Sequence, residues 1–336
     1  MSRKRIALVF IGLFFLLATM FFLWFGQYFV QPADRAGAEQ VLLIEDGMSL
    51  RQVAGILEEK GIIKNKTFFL LWARLKGYGK IIKSGEYSLS PAMAPVKIFD
   101  ILTRGTIITH PVTFPEGFSA EQIGETLTQN IKVDKSAFLS LVHDSIILKK
   151  HGISGPSLEG YLYPDTYQFR RRQSPESIID VMLDHFNEVI SPFKKRIGET
   201  GMTLEEVVTL ASIVEKETGR ADERPLIAGV FLNRIKKGMR LDSDPTVIYG
   251  IENFNGNLTR DDLKRYTPYN TYVIKGLPPG PISNPGLESI RAVLYPADTD
   301  YLYFVSKNDG SHFFSRSLEE HNRRVLTYQK KRGADR

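Results

Sequence analysis

The sequence predicts an α+β protein: one N-terminal transmembrane helix, a small α/β module, and a larger mixed α/β domain. Three observations predict it. Residues Ile6–Gly26, "IALVFIGLFFLLATMFFLWFG", form an unbroken apolar run. A unit of strand, acidic-glycine turn and capped helix start recurs about 70 residues on, which marks a repeated supersecondary element rather than a solenoid. From Ser154 onward, short helical and strand patterns alternate between turns rich in Pro and Gly.

In chain order, residues 1–5 are a basic tail, with Arg3, Lys4 and Arg5 ahead of the apolar run at 6–26. At about 1.5 Å per residue that run crosses a hydrocarbon core of roughly 30 Å. A cleaved signal peptide would have a shorter apolar region, and no small-residue cleavage site precedes Gln31 and Pro32. The basic flank keeps the N-terminus cytoplasmic and sends everything after Gln27 across the membrane. Trp24, Tyr28 and Phe29 fall at the outer interface, and 27–40 is a short polar linker.

Composition narrows the partners. With 43% hydrophobic residues the chain can bury a full core, and its net charge of +6 favours an acidic partner. An extracytoplasmic location argues against nucleic acid, and no zinc-finger, RRM-like or helix-turn-helix pattern argues back. The basic patches Arg170–Arg172 and Lys194–Arg196 read as solvated faces, with anionic lipid as the partner if they bind anything. There are no cysteines, and the six histidines show no metal-ligand spacing.

The module at 41–113 opens with "VLLIEDGMSLRQVAGILEEKGI": a strand, a turn, and a helix with the capping box Ser49–Gln52. "FFLLWARLKG" is helical, "SGEYSLSP" is a strand, and "PVKIFDILTRG" is a helix ending at Gly105. Its βα unit and size resemble the LysM-type carbohydrate-binding modules, and a plain spacer fits the pattern equally. The connecting helical region 114–153 follows, with the turn Glu116-Gly117 and the capping box Ser119–Gln122. In the last domain, 154–330, "LEGYLYPDTYQF" gathers Tyr161, Tyr163, Tyr167 and Phe169 as core residues around a Pro164-Asp165 turn. Helices bounded by Pro225 and Gly238 and by Asn284-Pro285 and Tyr295 come next. A hairpin, "YLYFVSKNDGSHFFS", then precedes a basic helix opened by Ser317 and Glu320. The Pro- and Gly-rich stretch Gly280–Gly286 reads as a rigid rim loop.

One helix carries a residue out of pattern. Thr203 and Glu206 form a capping box that fixes the start of "TLEEVVTLASIVEKETG", read as helical to Gly219. At about 100° per residue, Leu204, Val208, Ala211 and Glu215 share one stripe, while Glu205, Thr209, Ser212 and Lys216 form the opposite polar arc. Glu217 sits at the edge of the apolar face, with solvent in reach. An unpaired carboxylate among Leu and Val is costly, so the position of Glu215 favours the protonated form that a general acid requires. The same position suits a structural Glu paired with Arg220, Arg224 or Arg234.

At these residues the chain resembles the endolytic murein transglycosylases, the MltG or YceG-like family. The shared elements are "EGYLYPDTY", "ASIVEKET", "VFLNRIKKGMRLDSDPTVIYG", "YNTY" and "GLPPGPISNPG", in that order, and the likeness covers nearly the whole chain. The family's catalytic glutamate is the first acidic residue of "IVEKE", which corresponds to Glu215. The resemblance implies cleavage of the bond between N-acetylmuramic acid and N-acetylglucosamine in nascent peptidoglycan, leaving 1,6-anhydromuramyl ends, with no metal or cofactor. It implies the inner membrane as location and glycan strands as substrate, with peptidoglycan synthases or division and elongation proteins as candidate partners. The polar and aromatic side chains of the shared elements, Glu159, Tyr163, Asp244, Tyr249, Asn270 and Tyr272, are the candidate groove residues. Each is equally placed to be structural, Asp244 as a cap before Pro245 and Tyr249 as core. Two other classes stay open: a muramidase that uses water and a second carboxylate such as Asp242 or Asp244, and a tethered wall-binding scaffold.

Overall fold

A computed structural model describes residues 3–77 and 82–330; residues 1–2 of the basic tail lie outside them. Mixed α and β elements in small sheets make up the chain, as the sequence predicts. Its contacts divide into two compact units, Met1–His110 with Arg170–Arg172, and Pro111–Phe169 with Gln173–Arg336.

The first unit contains α1 (Arg3–Val30), β1 (Gln40–Ile44), α2 (Leu50–Glu59), α3 (Lys66–Leu75), β2 (Gly85–Leu89) and α4 (Pro95–Arg104). Helix α1 is long and apolar enough to cross a membrane, its span Phe10–Val30 having a mean hydropathy of 1.9. Strands β1 and β2 pair antiparallel, with Leu42 opposite Tyr87 and Ile44 opposite Gly85. Alternation along β1 puts Leu42 and Ile44 inward and leaves Val41 exposed. Helix α2 starts at a full capping box: Ser49 Oγ accepts from the Gln52 N–H, and Gln52 Oε1 accepts from the Ser49 N–H at 2.9 Å. Arg172 of the basic patch Arg170–Arg172 stays 61% exposed, and each of the three arginines also has a partner within this unit. Arg170 Nη1 donates to the Ser84 carbonyl at 2.8 Å, Arg171 pairs with Glu86 at 3.0 Å and Arg172 pairs with Glu45 at 3.0 Å.

After β3 (His110–Thr113), whose first residue belongs to the first unit, the second unit contains α5 (Ala120–Ile131), α6 (Lys135–Val142), α7 (Ser145–Lys150), β4 (Thr166–Phe169), α8 (Pro175–Ile190) and, after a 3-10 turn, α9 (Lys194–Thr200). It continues through α10 (Leu204–Glu217), α11 (Arg224–Lys236), α12 (Asp244–Tyr249), α13 (Arg260–Lys264), α14 (Leu287–Leu294), the hairpin β5 (Tyr303–Ser306) and β6 (His312–Ser315), and α15 (Leu318–Val325). The acidic-glycine turn recurs in backbone as well as in sequence: Gly47 and Gly117 have φ of 81° and 77°, each just before the capping box of α2 or α5. Tyr161, Tyr163, Tyr167 and Phe169 are buried core residues.

Helix α10 departs from its sequence reading in three ways. It is buried all round from Val207 to Val214, so Thr209 and Ser212 do not face solvent. Ser212 Oγ donates to the Thr209 carbonyl at 2.7 Å and accepts from the Ile282 N–H at 3.0 Å, giving the polar arc a loop to hold instead of water. The helix ends at Glu217 with Thr218 extended, short of Gly219. Glu217 turns inward, where Ser243 Oγ donates to it at 2.5 Å and burial pushes its carboxyl up to about 7.

The loop bound by Ser212 is the one read as a rim, and it too is buried, from Gly280 to Gly286. Proline makes this burial affordable, because Pro281 and Pro285 have no N–H to strand. Three of the other donors are met inside the fold: Ile282 N–H by Ser212, Asn284 N–H by the Phe118 carbonyl at 2.8 Å, and Gly286 N–H by Glu215 at 3.0 Å. A Cβ at Gly160, where φ is 90°, would fall 2.4 Å from Pro281, so the glycine of "EGYLY" lets the two loops touch.

Candidate active site

Glu215 lies in the last turn of α10 with its side chain only 6% exposed, facing inward as the helical count predicts. Its surroundings are not simply apolar. Oε1 accepts from Arg224 Nη2 at 3.2 Å, and Oε2 accepts from the Gly286 N–H at 3.0 Å. Of the three arginines considered as partners, Arg220 bonds Asp222 and Arg234 pairs with Asp242, so Arg224 alone reaches Glu215. The short connection from α10 to α11 turns the chain back on itself and places Arg224 in the first turn of α11.

The same guanidinium nitrogen lies 3.8 Å from Oε2 of Glu116, a half-exposed residue of the Glu116-Gly117 turn. Three bonds fix that turn: Gly117 N–H donates to the Asn284 carbonyl at 2.8 Å, Asn284 N–H to the Phe118 carbonyl at 2.8 Å, and Lys216 Nζ to the Gly117 carbonyl at 3.2 Å. Burial raises the Glu116 carboxyl above the ordinary range, and the neighbouring Glu215 charge adds to this while Arg224 opposes it. The result is two carboxylates on one cation. Nε of Arg224 is buried with no hydrogen-bond partner among the described residues, a donor left over at the site. Tyr163 is buried beside the pair; its oxygen accepts from the Leu287 N–H, and burial followed by the Glu116 charge raises its hydroxyl pKa.

The other candidates divide among three places. Glu159 is fully buried and accepts from the Ala120 N–H at 3.0 Å, Asn284 Nδ2 at 2.9 Å and the Tyr249 hydroxyl at 3.4 Å, at the N-terminus of α5. Burial pushes its carboxyl up to about 7. Tyr249 leans on Tyr269, ring centroids 4.8 Å apart. Asn270 is wholly committed to backbone, its Nδ2 donating to the carbonyls of Asp262, Leu263 and Arg265 and its Oδ1 accepting from the Tyr272 N–H. Asp244 is the first residue of α12, after the N-cap Ser243, and accepts from the Tyr272 hydroxyl at 2.7 Å. Asp244 and Tyr272 line a separate cavity of about 430 Å³ together with Asp242 and Glu217.

The structure therefore brings Tyr163 to Glu215 and places the other five candidates elsewhere. Asp242 and Asp244, the two second carboxylates considered, lie with Glu217, and the carboxylate beside Glu215 is Glu116. Sequence reasoning took Glu116 for turn chemistry, and its only signal was an acid before a glycine. Gly286 and Asn284 were likewise read as loop residues. Asn284 bonds four ways, its Oδ1 accepting from the Gly160 and Leu162 N–H groups and its Nδ2 donating to the Phe118 carbonyl and to Glu159.

A profile of the YceG-like family matches residues 42–327. An endolytic murein transglycosylase of Bacillus subtilis is 34% identical over 322 residues, covering 90% of this chain and 89% of that protein. A protein of the same name from Streptococcus pneumoniae is 30% identical over 342 residues, covering 91% of this chain and 62% of its own longer length. The crystal structure of a yceG-like protein from Listeria monocytogenes superposes with a TM-score of 0.60 at 35% identity, over 86% of this chain and 99% of that one.

Proposed function

The chain belongs to the YceG-like family, and on that footing we propose that it is an endolytic murein transglycosylase in which Glu215 transfers the proton. The observation that carries the proposal is the fixed carboxylate of Glu215, held by Arg224 on one oxygen and by the Gly286 N–H on the other. A glycosidase that uses water needs two carboxyl groups in separate roles. Here the C6 hydroxyl of the N-acetylmuramic acid attacks its own anomeric carbon. The bond from that carbon to the N-acetylglucosamine oxygen breaks, the leaving oxygen takes a proton from Glu215, and the hydroxyl proton returns to the carboxylate. No water is consumed, and the product is a 1,6-anhydro end.

Arg224 and the Gly286 N–H hold the Glu215 carboxyl in one place, and Glu116 stands on the same guanidinium. Because Glu116 shares the guanidinium, the water-using muramidase is the second reading, with Glu116 as its second carboxylate. Helix α1 serves as a single-pass anchor with the N-terminus cytoplasmic, confining cleavage to strands near the membrane and so ending their elongation.

The endolytic claim is tested by following strand lengths while the protein acts on uncrosslinked glycan. Internal cutting shortens the mean length early, and Glu116→Gln slows this without changing the ends produced. Release of terminal disaccharides at constant mean length contradicts it. A second expectation concerns Gly286, whose added Cβ would lie 1.8 Å from Glu116 Oε1 at an ordinary φ of −76°. Gly286→Ala pushes Glu116 off Arg224, so cleavage falls about 10- to 100-fold with stability nearly unchanged, read by initial rates beside a melting curve.

A further inference from the structure

We propose that α3 is an interfacial helix, lying on the outer membrane surface with the stripe Phe68, Leu71, Trp72 and Leu75 among phospholipid headgroups and upper acyl chains. This rests on the reading of α1 as a membrane anchor. The depth of α3 follows from what it touches. The Phe68 ring lies 5.0 Å from Trp24, 5.5 Å from Phe25 and 5.3 Å from Tyr28, and Trp72 stacks on Phe29 at 4.5 Å. The Tyr28 hydroxyl donates to the Asn65 carbonyl at 2.6 Å and accepts from the Asn65 N–H at 3.0 Å. These partners occupy positions 24–29 of α1, an axial rise of about 7.5 Å. That rise spans the outer end of the apolar run. Wherever α1 sits in a bilayer, α3 is held level with its interface.

Helix α3 is more apolar than its own unit requires. Phe69 and Ala73 point into the core and are fully buried, which satisfies the module. Away from that core Phe68, Leu71 and Leu75 recur at helical spacing, with Trp72 at the edge between this stripe and the core, and Leu71 and Leu75 stay 39% and 65% exposed while Trp24, against Phe68, is 58% exposed. Basic groups border the stripe: Lys64 and Arg74 are exposed, and Lys76 Nζ sits 5.1 Å from the Trp72 ring centroid. An apolar stripe edged by Trp and Lys is the pattern of a helix lying in the interface plane, with the ammonium groups reaching lipid phosphates. A cavity of about 310 Å³ between Trp24, Tyr28, Lys64 and Phe68 opens at the same level. The connection between α1 and β1 cannot lift the module away, because Asp34 N–H donates to the Pro91 carbonyl at 3.0 Å and Ser90 Oγ to the Gly37 carbonyl at 2.6 Å.

The chain has two tryptophans, Trp24 and Trp72, one on each helix of this contact. The test is fluorescence quenching of full-length protein in vesicles of phosphatidylglycerol and phosphatidylcholine with the acyl chains brominated at a shallow position. Trp24→Phe reports on Trp72 alone, and Trp72→Phe on Trp24 alone. The proposal expects both to be quenched, Trp72 to a similar extent as Trp24. Quenching of Trp24 with none of Trp72 overturns the interfacial helix and leaves the anchor standing. Quenching of neither overturns the anchor itself, and the proposal with it.

Discussion

Glu215→Gln is expected to abolish glycan cleavage while leaving the second unit folded. Glutamine fills the same volume and keeps one oxygen, but it can neither donate the proton to the leaving oxygen nor take one from the C6 hydroxyl. Removing such proton transfer costs about 10²- to 10⁴-fold in rate. One of the two donors at this position, Arg224 Nη2 or the Gly286 N–H, loses its acceptor, which costs about 1–3 kcal/mol. Arg224 keeps Glu116 nearby, so no guanidinium is left without a countercharge. Circular dichroism and a urea midpoint beside the rate measurement separate the two effects. A variant that cuts strands at the wild-type rate removes Glu215 from the chemistry and returns it to the role of a structural ion pair.

Loss of the Glu159 carboxylate is expected to have the largest effect on stability. Three donors converge on it, and with Asn284 it joins the start of α5, the loop before β4 and the loop before α14. Glu159→Ala strands those donors and opens a cavity, a change in the class of about 3–5 kcal/mol, seen as a lower urea midpoint. Glu159→Gln keeps an acceptor for Ala120 and Asn284 and offers a donor to the Tyr249 oxygen, so it costs far less. It also changes the pH dependence. The Glu159 carboxyl goes from 4.5 to about 7 on folding, so the folded chain holds this proton more tightly than the unfolded one. Its contribution is complete below 4.5 and is lost as pH rises through about 7, where ionisation has to occur in a buried site. Unfolding midpoints from pH 5 to 8 should therefore fall more steeply for wild type than for Glu159→Gln. Parallel curves contradict that assignment.

What the sequence made legible was local. The capping boxes at Ser49, Ser119 and Thr203 form as read, because each needs only residues three positions apart. The same local rule fixed the register of α10 and turned Glu215 inward. Long-range pairing was not legible. Three arginines follow Glu215 in the sequence, Arg220, Arg224 and Arg234, and only the turn between α10 and α11 selects Arg224. Glu116 lies far upstream and looked like its counterpart Asp46, an acid before a glycine, until the fold brought it to the same guanidinium. The loop 280–286 misled for a physical reason. Proline and glycine usually mark surface turns, yet a proline without an N–H is also easy to bury, and Ser212, Phe118 and Glu215 take up the N–H groups of Ile282, Asn284 and Gly286. Asn270 and Tyr249 were candidates by residue type, and the backbone carbonyls of Asp262, Leu263 and Arg265 and the carboxylate of Glu159 already occupy their polar atoms.

The account turns on whether the nucleophile is the sugar's own hydroxyl or water. The most direct test is to incubate the protein with uncrosslinked glycan strands in ¹⁸O-labelled water and weigh the new ends by mass spectrometry. The account predicts anhydromuramyl ends without the heavy oxygen, and none from Glu215→Gln. Reducing ends carrying the heavy oxygen contradict it, and would assign Glu116 the role of activating water.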